Sequence, residues 1–142
     1  MALPNNLISG IPMRLFMTSL WISVAWGPIG ADFNDTHLFN PDWTPHARLH
    51  MMTVFTTSVA LGIFGLYLVW GSTQSRPERL RLSAVLGLVY VIGLIVTALT
   101  MPMYGGSLYW FDTEPNAARL SDKNLIVFLV TGAVFLLLTI VL

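Results

Sequence analysis

The polar chemistry of this chain is concentrated in one stretch, Asp32 to His50 (DFNDTHLFNPDWTPHARLH), where nineteen residues hold three acids, all three histidines, an arginine and a tryptophan. His46 and His50 stand four apart, the spacing that puts two side chains on one helical face, and Thr53 and Thr57 continue that face. Imidazole exchanges protons near neutral pH, and a neighbouring carboxylate orients its ring, so the pair is a candidate for acid–base work. His50 carries most of this reading, because it lies deeper along the helix, where ionisable groups are costly. Asp112 and Glu114, from a second polar stretch, are the carboxylates expected to join the two histidines.

The same His-x-x-x-His spacing can hold a metal when further ligands arrive, and His37, Asp35, Asp42, Asp112 and Glu114 are the available ones. The glutamate of a zinc-protease motif is replaced here by Ala47 and Arg48, and a cation beside the site repels a metal. Neither a metal nor another cofactor is therefore expected. The competing reading is a solvated helix end, with Arg48 binding a lipid phosphate or pairing with Asp42.

The second polar stretch, Tyr104 to Lys123 (YGGSLYWFDTEPNAARLSDK), joins Tyr109, Trp110 and Phe111 to Asp112 and Glu114. Gly105 and Gly106 allow a sharp turn after Pro102, so that Trp110 can fold back as an apolar lid; simple anchoring at a membrane surface is the alternative. The expected binding residues are Trp43, Arg48, Tyr104, Trp110, Trp26, Thr53 and Asp35, arranged around His50, His46, Asp112 and Glu114. Trp21 and Trp26 are read first as packing or interfacial residues.

The elements that must position these groups are apolar. Of 142 residues, 55% are hydrophobic and 10% charged, against about a quarter charged in soluble domains. Four apolar stretches, 11–30, 47–71, 82–103 and 124–142, approach or exceed the ~20 helical residues that cross ~30 Å of hydrocarbon. The expected fold is an all-α, integral membrane four-helix bundle forming one domain over 1–142. Arg14, Arg76, Arg79 and Arg81 fall on one side, which the positive-inside rule makes cytoplasmic, with both termini there and the loops 31–45 and 104–122 outside. A bacterial inner membrane is the expected location. The start of the chain lacks a basic cluster, so its first stretch is expected to be an uncleaved span.

Thr44 followed by Pro45 reads as the N-cap and first position of the second helix. Ser58, Gly62 and Gly65 form a ridge of small residues suited to close helix packing within the chain. The absence of cysteine excludes disulfides, thiolate metal sites and thiol catalysis. A net charge of zero without a basic run argues against nucleic acid. No acid or base lies within the apolar stretches away from their ends, which argues against an ion-driven transporter.

Four spans, cytoplasmic ends, an outer loop rich in Asp, Pro and Trp, and a polar pair four apart early in span two resemble the EXPERA group of emopamil-binding sterol isomerases and sigma-2-receptor-like proteins. The resemblance implies a lipophilic ligand and isomerase-type chemistry. Where family members place a carboxylate in the second span, the nearest comparable position here is His50. The segment His46 to His50 (HARLH) also looks like one found in uncharacterised small membrane proteins. Two functions are carried forward. One is a membrane protein that binds, and by acid–base chemistry transforms, a lipophilic small molecule in an outward-facing pocket. The other is an accessory subunit of a larger membrane complex, or a homo-oligomer. Membrane lipid is a partner under both.

Overall fold

The computed structural model describes residues 10–71, 76–106 and 123–142. Among these the fold is all-helical, with no strand: α1 (Ile11–Asp32), α2 (Pro45–Trp70), α3 (Arg76–Leu99), a 3-10 turn at Met101–Met103, and α4 (Lys123–Val141). By length and composition α2 and α3 can each cross a membrane. α1 is long enough, but Arg14, Pro12, Pro28 and its serines dilute its apolar character. In α4 the apolar run is shorter, Leu125–Val141.

The chain forms two compact units, Met1–Ser83 and Ala84–Leu142. In the first, α1 and α2 run antiparallel. The ridge expected from sequence is the contact: Ser58, Gly62 and Gly65 are buried along α2. A Cβ on Gly65 would strike the Trp21 ring, and one on Gly62 would lie 2.7 Å from the Ala25 Cβ. Small residues therefore let a whole indole lie against the α2 backbone. Trp21 is fully buried, and its N–H donates to Ser83 Oγ at 2.7 Å. A buried indole needs such a partner.

At the other end of this unit the cations meet aromatic rings. The Arg14 guanidinium lies 4.0 Å above Trp70, whose N–H donates to Thr18 Oγ1 at 2.7 Å. Arg79 lies over Tyr67 at 4.8 Å and donates to the carbonyls of Tyr67 at 2.7 Å and Leu68 at 3.4 Å. Both carbonyls belong to the last turn of α2, where helical N–H donors run out; that of Tyr67 also accepts the Gly71 N–H at 2.9 Å.

In the second unit the Phe135 ring occupies the space a side chain at Gly87 would need, and Val91 packs 3.1 Å from the position of a Cβ on Gly132. The third helix ends earlier than the apolar stretch to 103 implies. The Thr100 N–H still reaches the Val96 carbonyl at 3.0 Å, but the next turn contains Pro102, which has no N–H. The bonding then tightens, with the Met103 N–H on the Thr100 carbonyl at 2.9 Å. Gly105 follows with φ 69, a left-handed conformation that glycine adopts without steric cost.

Candidate functional site

The loop between α1 and α2 is built by its own polar side chains. Asn34 donates to the Ala31 carbonyl at 2.6 Å, and its Oδ1 accepts from the Thr36 N–H at 2.9 Å and the Thr36 hydroxyl at 2.6 Å. The Thr36 hydroxyl also contacts His37 Nδ1 at 2.8 Å. The other ring nitrogen of His37, Nε2, lies 3.5 Å from Asp32, and the His37 and Trp43 rings meet nearly at right angles with centroids 5.8 Å apart. Burial pushes the Asp32 carboxyl above its ordinary range, and the attraction of His37 opposes this without overcoming it. Asn40 is buried, and its Oδ1 accepts from the Asp42 N–H at 2.9 Å.

The start of α2 forms as the sequence implies. Thr44 Oγ1 accepts from the Ala47 N–H at 3.2 Å, and Pro45 occupies the first position. His46 and His50 then meet directly: their Nε2 atoms are 2.9 Å apart and their rings cross edge to face at 4.4 Å. Such a contact needs one nitrogen to donate and the other to accept, so a single N–H bridges the two rings. Both rings are exposed. Arg48 turns away from them, and its Nη2 donates to the Asn40 carbonyl at 2.9 Å. It thus anchors the loop through a backbone carbonyl rather than through Asp42.

An open apolar groove of about 360 Å³ lies between the end of α1 and residues 52–63 of α2, lined chiefly by Ile29, Phe33, Met52, Phe55, Val59 and Ile63. Phe33, Met52 and Ile63 are 52%, 41% and 64% exposed, so the groove is open along its side. Its polar lining side chain is Thr56, whose hydroxyl is turned back onto the Met52 carbonyl at 2.9 Å. At the mouth, Phe33 packs against Phe39 at 5.0 Å and Phe55 at 6.1 Å.

The structure brings together some of the residues expected from sequence and separates others. His46, His50 and Thr53 share a face, but it lies about a third of a turn round α2 from Met52, Val59 and Ile63, at 3.6 residues per turn. Thr53 is satisfied by the Leu49 carbonyl at 3.0 Å. Trp43 stands by His37, Asp35 is exposed in the loop, and Trp26 is 63% exposed and outside the groove lining. In the second unit, Tyr104 donates to the Thr97 carbonyl at 2.8 Å. Trp110, Asp112 and Glu114 lie outside the described residues. Among the described residues no three His, Asp or Glu side chains gather as metal ligands.

The groove residues and the loop residues Asn34, Thr36 and Asn40 escaped the sequence reading. In a bilayer, apolar residues lining a groove have the same types as those facing lipid. The Asn34 bonds carried a weak signal, since Asn two residues before Thr in a polar run is an Asx-turn pattern. No family model, curated protein or solved structure matches the chain.

Proposed function

We propose that this chain is an integral membrane protein of four transmembrane helices, with both termini cytoplasmic in a bacterial inner membrane, that binds a lipophilic small molecule at its outer end. The observation that carries the reading is the groove beside α1 and α2. It is apolar, side-open and of a size for a hydrocarbon group, which is the usual form of a lipophilic site. Its polar hydroxyl, on Thr56, is already bonded to backbone. Binding is therefore favoured over transformation, and the His46–His50 pair, on another face of α2, is not the group that meets a molecule in the groove.

The test is purification in mild detergent followed by mass spectrometry of an organic extract. A lipid-like compound in fixed ratio to the protein supports the proposal, and its loss in Val59→Trp, which fills the groove, locates it. Purification only together with other polypeptides, and without such a compound, would overturn the proposal in favour of an accessory subunit.

A further inference from the structure

The His46–His50 pair has no part in the groove, and its geometry is that of a two-point ligand. Pro45 and the Thr44 cap fix the first turn of α2, so the two histidines stand on regular helix, on one face. Their Nε2 atoms are 2.9 Å apart, and both side chains are exposed. A metal ion bonded to two imidazoles at about 2.0–2.1 Å each, with a right angle between the bonds, holds its nitrogens about 2.9 Å apart; a tetrahedral ion spreads them to about 3.3 Å. The separation of the pair is that of neighbouring corners of a square-planar or tetragonal ion.

Arg48 is the group that would oppose a cation here, and the fold removes it. Two residues from each histidine, it lies on the opposite side of α2 at 3.6 residues per turn, and its Nη2 is held by the Asn40 carbonyl. Thr53, next on the histidine face, has its hydroxyl bonded to the Leu49 carbonyl. Among the described residues no third His, Asp or Glu completes a ligand set, so the remaining coordination positions belong to water.

We propose that His46 and His50 form a surface site for a divalent transition-metal ion of tetragonal preference, Cu(II) above all, bound through both Nε2 atoms. Imidazole suits copper and nickel, and Cu(II) heads the affinity order for a given site. Two waters leave the ion. The proton of the bridging N–H passes through solvent to Nδ1 of the same ring, so that each Nε2 offers its lone pair and the neutral pair loses no proton. The rings pivot about Cβ–Cγ, a soft torsion in histidine, to aim both lone pairs at one point. The helix already carries both ligands, so binding requires no ordering of the chain.

The full chain in detergent, titrated with copper(II) sulfate in a non-coordinating buffer and followed by electron paramagnetic resonance and calorimetry, tests the assignment. One Cu(II) per chain is expected, with hyperfine coupling to two imidazole nitrogens. His46→Ala and His50→Ala should each remove one coupling and weaken binding at least about tenfold, since even the loss of an outer-sphere partner costs that much. His50→Gln, which keeps a polar side chain, repeats the measurement should the alanine variant fail to fold. His37→Ala should bind Cu(II) as the native chain does, and Zn(II) should bind less tightly than Cu(II). A native chain that takes up no Cu(II), unchanged coupling in a variant of the pair, or loss of copper from His37→Ala overturns the site. Zn(II) binding as tight as that of Cu(II) overturns the tetragonal assignment.

Discussion

Thr44 and Arg48 stand four residues apart at the head of α2, and each bonds to backbone: Thr44 accepts an N–H that the first turn cannot pair, and Arg48 donates to the Asn40 carbonyl. Thr44→Ala should therefore cost about 1 kcal/mol of stability, measured by denaturation in detergent. Asp32 sets a pH dependence through its burial. Its carboxyl holds a proton more firmly in the folded chain than in the unfolded one, because burial disfavours the charge. The penalty is present in full above the raised folded pKa. It is relieved as pH falls through that value towards the ordinary carboxylate range, below which both states are protonated. Melting temperatures should rise over that window on acidification, and Asp32→Asn should remove this contribution. At this scale the Thr44–Pro45 cap and the His46–His50 pairing were legible, because both follow from local spacing. The partner of Arg48 was not: in sequence Asp42 is the obvious counter-charge, whereas the folded loop offers the Asn40 carbonyl first.

Among the elements, the α1–α2 contact turns on the absence of one methyl group. A Cβ at position 65 would enter the Trp21 ring, so Gly65→Ala should destabilise the chain by about 1–3 kcal/mol through overpacking, seen as a lower melting temperature. The ridge of Ser58, Gly62 and Gly65 could be read in advance because small residues at helical spacing have few other uses in an apolar helix. The groove could not. Met52 and Val59, which line it, are chemically indistinguishable from exposed Leu49 or Val54 until the end of α1 is placed beside them. The end of α3 is hidden for a related reason: the apolar run continues through Met101 and Met103, but the missing N–H of Pro102 decides where the helix stops.

For the whole molecule, the proposed orientation has a direct test, since the chain contains no cysteine to confuse labelling. Asp42→Cys and Glu78→Cys, both at exposed positions, should differ in intact cells: a membrane-impermeant maleimide should modify the first and spare the second. Equal modification of both would reverse or abolish the assignment of sides. The cations at the far end of the first unit bear on the proposed topology. Arg79 satisfies the Leu68 and Tyr67 carbonyls from eleven and twelve residues further along the chain. The exposed end of α2 is thus closed by the first turn of α3. In the proposed membrane topology, α2 and α3 are therefore joined as a hairpin by a side chain as well as by apolar length.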